Sequence, residues 1–567
     1  MGLYDNSAKA IPWQTVVDQA TPLNFTLLPT LLKKQGYATH GVGKWHLGYA
    51  TKAYTPTHRG YDTFYGYYSA MTEDYWAHSH SVAAGCDLGG HGKDLHNSST
   101  MWGLQAGTDN STYEATLFGD HAVGLIEHHD TTTPFFLYQA FHNEHDPHQA
   151  PLDALSNDKV GHIKTDTYKV TAALIETMDA QIGKIVDALN GTGMLGNSVI
   201  GFSSDNGGPL DHANNWPFRG GKHTFFEGGV RTVAFVWSPL LPPIRRGTRW
   251  SGLAHVADWF YTYAVGVAGV ADADAHGAGP YPDDGFDLWS ALSSTDPVGP
   301  SPRGEVVHMV HSPKYYPGNC SMSCWQSRNC PMVITVGDMK LSVGYVGDPR
   351  IVTLEEHAGV GPNGSTEPIP WGLSGGRCGV PPPVYRWSYG SASGDAPDPH
   401  CQTGVLSRVD NVTCCPKSCG TCGGADCGSA SGGSKNCCRH DVDESGRSCD
   451  KVGPPCVEGG GGGGGKYAGR CTAPGISAHP PQPSPTGLCV NGCLFNLTSD
   501  PTESNNLYTD PAHQSTVAAL KARLAELGDA APPWAVVPEV QDMPQAQYNQ
   551  KLCDAAHKLG ALAPIDV

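Results

Sequence analysis

The sequence lacks several features that mark whole classes of protein. No run of 18 or more apolar residues occurs in the 567-residue chain, so no transmembrane helix is predicted. Basic residues are scarce: 36 Lys and Arg stand against 54 Asp and Glu, for a net charge of −18. This balance argues against nucleic acid as the main partner, because phosphate binding requires a basic face. The opening stretch MGLYDNSAKAIPWQ has neither the basic region nor the apolar region of a signal peptide.

Cysteine is nearly missing from most of the chain and dense in one part of it. Of the 19 cysteines, only Cys86 and Cys553 lie outside residues 320–493. Such density predicts a disulfide framework formed in an oxidising compartment, although the spacing of Cys419 and Cys422 would also suit zinc. Glycosylation sequons agree with a secretory route, so we expect a secreted or lysosome-like location. Eight of them occur, at Asn24, Asn97, Asn110, Asn190, Asn319, Asn363, Asn411 and Asn496.

Helical and strand patterns alternate over the first 300 residues. Apolar residues at helical spacing predict helices, and short apolar runs bounded by glycine predict strands. Alternation of this kind indicates an α/β fold with a mostly parallel sheet flanked by helices on both faces. We expect helices at 26–35 and 168–190, and strands at 37–42, 135–140, 198–205 and 230–237.

Beyond residue 300 the pattern changes to that of a smaller α+β subdomain. Residues 332–344 predict a hairpin that turns at Gly337-Asp338, and 493–497 predict a further strand. A helix capped by Ser515 is expected to follow. A segment rich in Cys, Gly, Pro and Ser separates these elements and reads as an insertion. The expected division is 1–300 for the catalytic α/β domain, 301–377 with 488–567 for the C-terminal subdomain, and 378–487 for the insertion.

Residues able to bind anions and metals occur in four places: three groups follow predicted strands, and one precedes a predicted strand. Considered one at a time, the lysines could be surface charges, the histidines could be surface residues, and Asp-Asn-Gly-Gly could be a turn. Ligands in open α/β sheets, however, bind beyond the carboxyl ends of strands. The set suits an anionic tetrahedral substrate and a divalent metal. Its members are Lys44 and His46, expected on one side of an extended chain, then His142, His145 and His148, then Asp205 and Asn206, and finally Lys222.

The stretch GYATHGVGKWHLG at 36–48 resembles a signature of the sulfatase family. The resemblance covers about 1–345 and 488–530 and is closest to arylsulfatase B-like enzymes. It implies an alkaline-phosphatase-like α/β core, a calcium ion, and hydrolysis of sulfate monoesters of a small molecule or glycan. The other matching motifs are THRGYDTFYGY (57–67), the His-Asp-Pro loop, FSSDNGG (202–208), NNWPFRGGKHTFFEGGVR (214–231), DGFDLW (284–289) and LFNLTSDPTESNNL (494–507).

The resemblance also implies a role for each matching residue. Lys44 and His46 would hold sulfate oxygens, and Lys222 would lie between the sulfate and the nucleophile. His145 would contact the sulfate or donate a proton to the leaving oxygen. Asp205 and Asn206 would ligate calcium.

Two features of the family are missing from the 567 residues. Sulfatases carry Cys/Ser-x-Pro-x-Arg, whose first residue becomes the formylglycine nucleophile, and an Asp pair on a preceding strand. Neither occurs here: GPSPRG at 299–304 has the wrong spacing, and Asp283-Asp284 belongs to another family segment. Residues 1–3 align just after the nucleophile helix, so we expect a sulfatase without its N-terminal part and inactive as it stands. The alternatives are a non-catalytic sulfatase-like protein that binds a glycan or a protein, and a phosphatase of the same superfamily, which the Lys-Trp-His signature disfavours.

Overall fold

The structure is a computed structural model. All residues that it describes belong to one compact unit, formed by Met1–Pro381 and Pro485–Val567. The predicted insertion at 378–487 lies outside the described residues. None of the helices in the described part of the chain has the length and apolar character that a bilayer crossing needs. The described residues are 20–72, 74–81, 91–97, 103–104, 112–163, 166–210, 212–276, 284–296, 300–310, 331–344, 346–351, 489, 491–530, 547, 550–551 and 553–554.

Helices and strands alternate through the first two thirds of the described chain. The α-helices are α1 Leu28–Lys34, α2 Glu114–Glu127, α3 Leu152–Leu155, α4 Asp158–Gly161, α5 Asp166–Gly191, α6 Glu227–Val230, α7 Asp258–Tyr261, α8 Asp272–His276, α9 Trp289–Leu292 and α10 Gln514–Ala530. The strands are β1 Ala38–Lys44, β2 Thr63–Tyr67, β3 Ser79–Ser81, β4 His91–Lys93, β5 His96–Asn97, β6 Gly103–Leu104, β7 Phe135–Ala140, β8 Ile200–Ser203, β9 Ala234–Trp237, β10 Glu305–Met309, β11 Met332–Val336, β12 Met339–Val343 and β13 Cys493–Asn496.

The main sheet has the strand order β6-β5-β2-β1-β7. Its centre is parallel, because β1 pairs in parallel with both β2 and β7, as the sequence predicts. The expected mostly parallel sheet is found only at this centre, and the other strand pairs are antiparallel. Strand β5 runs antiparallel to β2, and β8 forms a separate antiparallel pair with β9. The fold class is therefore α/β with a mixed sheet.

Alternate side chains of the sheet pack against different layers. Val42 and Tyr65 point to one face and join Phe118 of α2 in a buried cluster. Phe64 and Phe136 point to the other face and pack with the aromatic group around Trp45. Helices and apolar clusters therefore cover both faces of the strands whose carboxyl ends carry the candidate residues.

Strands β7 and β8 lie on the same helical layer without pairing with each other. Phe135 of β7 and Ile200 of β8 both pack against the cluster that contains Ile126 of α2 and Leu189 of α5. Within the described residues, β7 pairs only with β1, and β8 pairs only with β9. Tyr138 of β7 is 55% exposed, an unusual state for an aromatic residue in such a strand. In the described part of the chain, both strands therefore have a free edge next to the candidate site.

The C-terminal part folds as a four-stranded antiparallel sheet, β10-β11-β12-β13, with α10 packed on it. The hairpin predicted at Gly337-Asp338 is confirmed, since β11 and β12 pair antiparallel around Gly337. The predicted strand at 493–497 is confirmed as β13. The predicted cap at Ser515 is wrong: α10 begins at Gln514, and Asp510 caps the preceding turn by accepting a hydrogen bond from the Ala512 amide at 2.9 Å.

A buried ion network joins this sheet to the α/β domain. Lys340 of β12 is fully buried, and its Nζ lies 2.8 Å from Glu227 of α6 and 2.9 Å from Glu503. The Glu503 carboxylate also accepts a hydrogen bond from the Glu227 amide at 2.6 Å. Because α6 follows the loop that carries Lys222, the network holds that loop in place from behind.

Replacing Lys340 by alanine is expected to lower the free energy of unfolding by about 3–5 kcal/mol, because two buried carboxylates then lose their cation. Urea unfolding followed by circular dichroism would measure the change. The matched control is Lys33→Ala: the Lys33–Asp62 ion pair at 2.5 Å has a lysine that is 51% exposed, and its loss should cost less than about 1 kcal/mol. Equal effects of the two substitutions would contradict the buried-network interpretation.

Candidate active site

Side chains from the ends of β1 and β7 and from the loops after β8 act electrostatically on one another. The pKa of Lys44 is lowered to about 8, first by burial and also by the positive charge of Lys222, while the Asp205 carboxylate opposes the shift. Lys222 and Lys44 likewise contribute to the shift in the pKa of His145. The structure therefore brings together four of the six residues to which the resemblance assigns a role: Lys44, His145, Asp205 and Lys222.

The end of β1 is anchored by its tryptophan. Trp45 is buried in an aromatic cluster with Tyr61 and Phe64, and its indole N–H donates to the Gly48 carbonyl at 2.9 Å. β1 ends at Lys44, and His46 has a φ of +49°. The expectation that Lys44 and His46 share one side of an extended chain is therefore wrong. His46 is half-buried in a left-handed turn, a conformation that costs energy for a residue other than glycine.

The loop after β7 is held by a buried polar network. Nδ1 of His142 lies 2.9 Å from a Glu114 carboxylate oxygen, and its Nε2 lies 3.0 Å from the Asp146 carbonyl. Thr72 donates to the same carboxylate at 2.8 Å. The sequence singled out His142 without giving it a partner. The sequence does not mark Glu114 as a functional residue, because an acidic residue in the first turn of an amphipathic helix is common. Its burial is apparent only in the folded structure.

His145 is neutral in the free site. Its pKa is lowered to about 2, mainly by burial and then by the charges of Lys222 and His142. Nδ1 lies 3.0 Å from the Asp146 carbonyl, which can only accept, so Nδ1 carries the proton and Nε2 carries the lone pair. The role as proton donor concerns the complex with the substrate anion, and it stays a prediction. An anion that offsets the lysine charges is needed before Nε2 can take up a proton.

Glycines let the loops that carry Asp205 and Lys222 approach closely. The Gly207 amide donates to the Gly229 carbonyl at 2.9 Å, and a Cβ at Gly207 would collide with the Gly228 carbonyl. The Lys222 amide donates to the Gly208 carbonyl at 3.1 Å. The Asn215 side chain bridges the loops as well: it accepts from the Gly208 amide and donates to the Gly208 carbonyl, both at 2.8 Å. These bonds fix the Lys222 backbone beside the end of β8.

The end of β8 offers hard oxygen ligands. The Asp205 side chain is exposed, and the Asn206 amide nitrogen donates to the Gly207 carbonyl at 3.0 Å, which leaves the amide oxygen on the other side. A carboxylate and an amide oxygen fit part of a calcium site, which takes six to eight oxygens. Glu144, which the sequence did not single out, is close enough to Asp205 and Lys222 to interact electrostatically. Burial and the Asp205 charge raise its pKa.

GPSPRG at 299–304 has a structural role. Arg303 is buried, and its guanidinium lies 2.5 Å from the Asp258 carboxylate. It also donates to the Asp284 carbonyl, and the Phe286 amide donates to Asp258 at 2.9 Å. This segment therefore fastens the DGFDLW motif to α7 and has no part in the site.

Residues 2–269 match the family model described as Sulfatase. Sulfatase is therefore the family that this part of the chain resembles. Over 350 residues it is 35% identical to arylsulfatase J of Mus musculus, covering 60% of this chain and 54% of that protein. Over 234 residues it is 29% identical to N-acetylgalactosamine-6-sulfatase of Rattus norvegicus, covering 38% of this chain and 39% of that protein. The chain thus spans about half the length of the curated relatives that it matches.

A similar solved structure is the PsFucS1 sulfatase from Pseudoalteromonas sp. Its TM-score is 0.49 at 16% sequence identity, over 94% of this chain and 80% of that one. The sulfatase-domain match includes Lys44, His145, Asp205 and Lys222, so the residues that act on one another in the structure all belong to the matched segment.

Proposed function

We propose that this domain binds and hydrolyses sulfate monoesters at the site formed by Lys44, His145, Asp205 and Lys222. The observation that carries the proposal is the convergence of two lysines with a carboxylate and a neutral imidazole at strand ends. Lys44 and Lys222 neutralise charge on the sulfuryl oxygens, and this stabilisation grows as negative charge develops in the transition state. His145 accepts or returns a proton at Nε2 once the anion has offset the lysine charges.

Calcium is part of the proposal. Asp205 and Asn206 would hold the ion, which would polarise the sulfuryl group. The remaining ligands would be water or oxygens from outside this pair, because two side chains fall short of the six to eight oxygens that Ca²⁺ takes.

We further propose that the nucleophile comes from a formylglycine segment that these 567 residues do not contain. Support comes from the free edges of β7 and β8 in the described part of the chain and from the exposed aromatic residues beside them. Tyr138, Phe235 and Trp237 are 55%, 49% and 43% exposed, and an added strand would cover apolar surface of this kind. The alternative function, a non-catalytic sulfatase-like protein that binds a glycan or a protein, is favoured by the same missing motif.

We also propose that the substrate is a sulfated glycan and that the protein follows a secretory route. A sulfated glycan is supported by the names of the N-acetylgalactosamine-6-sulfatases, which are 29–31% identical over part of the chain. The arylsulfatase B-like subtype rests on the sequence motifs alone. A secretory route is supported by the disulfide between Cys489 and Cys493 and by a disulfide at Cys553.

Sulfate binding should depend on pH through Lys44. The ammonium form binds the anion, and the pKa of Lys44 is about 8 in the free site, so the contribution of Lys44 to affinity should be constant below pH 8. Above it, affinity should fall by about tenfold per pH unit, since one proton is required. The free His145 imidazole adds no inflection near pH 6.5, because it is already neutral there, whereas proton uptake by His145 in the anion complex would raise affinity at lower pH. Calorimetric titration with inorganic sulfate between about pH 5.5 and 9.5, at constant ionic strength, measures this profile.

Three variants make the profile specific. Lys44→Ala should bind sulfate weakly and lose the inflection. Lys222→Ala should also bind weakly, but its inflection should move to higher pH, because the Lys222 charge lowers the pKa of Lys44. Lys184→Ala, which removes an exposed lysine paired with Asp120, is the control and should match the unaltered chain. An inflection that persists in Lys44→Ala would show that another group controls binding.

A further inference from the structure

Three side chains next to the anion site, and not part of it, form a compact group. Asp146 and His148 lie in the loop after β7, and His212 lies in the loop after β8. Each offers one ligand atom, and these atoms all lie within 4.8 Å of one another. Nδ1 of His148 is 2.8 Å from the Asp146 carboxylate, and the two imidazole rings have their centroids 3.9 Å apart.

The two histidines of the group are buried, whereas the aspartate is exposed, so the group could bind an ion that enters from solvent. The His148 side chain is only 10% exposed, and His212 is 8% exposed, whereas the Asp146 side chain is 59% exposed. Nε2 of His148 is buried and has no hydrogen-bond partner among the described residues. A buried polar nitrogen without a partner is costly, and an ion bound to Nε2 would supply the missing partner. The exposed carboxylate leaves a path from solvent.

We propose that Asp146, His148 and His212 bind a divalent transition-metal ion, with zinc as the best match. Two imidazoles and one carboxylate are the protein ligands of many open zinc sites, whose fourth position holds water. Calcium and magnesium prefer sites made of oxygen alone, so this group is chemically distinct from Asp205 and Asn206. Binding requires neutral imidazoles and an ionised carboxylate, so a proton on the ligating nitrogen of either histidine is released to solvent.

The ion would connect the two loops that form the anion site. The Asp146 carbonyl lies 3.0 Å from Nε2 of His142 and 3.0 Å from Nδ1 of His145, so an ion on Asp146 restrains the backbone that orients His145. On the other side, the His212 carbonyl accepts a hydrogen bond from Thr171 of α5 at 2.8 Å. The ion would therefore act as a structural clip that fixes His145 relative to the β8 loops.

Zinc binding to the chelator-treated 567-residue chain tests the proposal. We expect one high-affinity equivalent in competition with a chromophoric chelator, and a visible ligand-field spectrum with cobalt. His148→Asn and His212→Asn should each weaken this equivalent by at least about 100-fold, the upper end of the loss seen when even a supporting residue is removed. The control is His162→Asn, which replaces an exposed histidine in the same region and should leave affinity unchanged.

The chain has 26 histidines and 19 cysteines, so other zinc sites must be separated from this one. Sulfur-to-cobalt charge-transfer absorption reports cysteine ligands and should be the same in all variants, while the ligand-field bands should be lost in His148→Asn and His212→Asn. Zinc should also raise the melting temperature of the unaltered chain and of His162→Asn, but not of the site variants. If one site variant fails to fold without metal, the other carries the test. Unchanged zinc affinity in a folded site variant would overturn the proposal.

Discussion

A preparation of these 567 residues alone should show no measurable hydrolysis of an aryl sulfate. The same residues joined to a sulfatase-family segment that carries Cys-x-Pro-Ser-Arg, with its cysteine converted to formylglycine, should hydrolyse it. The expected gain is at least about 10⁶-fold, because removal of a catalytic nucleophile costs on that order and the anion site cannot compensate. Initial rates at about pH 7 with an aryl sulfate, at equal concentrations of folded protein, measure the difference.

The control for this comparison is the joined protein with the motif cysteine replaced by alanine. It should fold like the active form and be as inactive as the 567 residues alone. Robust turnover by the 567 residues would show that the nucleophile lies within them. A folded, formylglycine-containing joined protein without turnover would instead favour the non-catalytic binding function.

In the active form, Lys44→Ala and Lys222→Ala should each lower kcat/KM by about 10²–10³. This is the scale seen when one preorganised donor that stabilises developing charge is removed. The lysines act on one anion, so the double variant should lose less than the product of the two single effects. Steady-state kinetics on an aryl sulfate, with Lys184→Ala as the surface control, measures these changes. A loss of less than about threefold for Lys222→Ala would remove that residue from the site.

Much of the fold is readable from local patterns, because each pattern reports a local preference that tertiary packing reinforces. The strand at 135–140 and the hairpin at Gly337 are examples, and both occur at the predicted residues. The direction in which β8 and β9 pair is different. Whether β8 and β9 pair parallel or antiparallel depends on which strands lie next to each other in the folded sheet. The apolar content of either strand does not determine which neighbour it has.

Some features of the candidate site could likewise be predicted from the sequence, and others could not. Lys44, His145, Asp205 and Lys222 could be singled out because they follow or precede strands within recognisable motifs. The neutral state of His145 could not, because it results from burial and from lysines that are distant in sequence. Glu114 and Lys340 were equally hidden: a charged residue on a helix or hairpin normally lies in solvent, and only the assembled fold shows that both are buried and paired.

His148 and His212 show a third case. They are 64 residues apart and lie in loops of different strands, so no spacing rule connects them. Their proximity depends on β7 and β8 resting on the same α2–α5 layer, which brings the following loops together.

The most direct measurement is a crystal structure of the chain soaked below about pH 8 with selenate, whose anomalous signal locates the anion without ambiguity. We expect selenate oxygens within about 2.7–3.2 Å of Nζ of both Lys44 and Lys222, the range of a charge-assisted hydrogen bond. We also expect Nε2 of His145 to face the same anion. Selenate bound elsewhere on the chain, with no anion between Lys44 and Lys222, would contradict the proposed sulfate site.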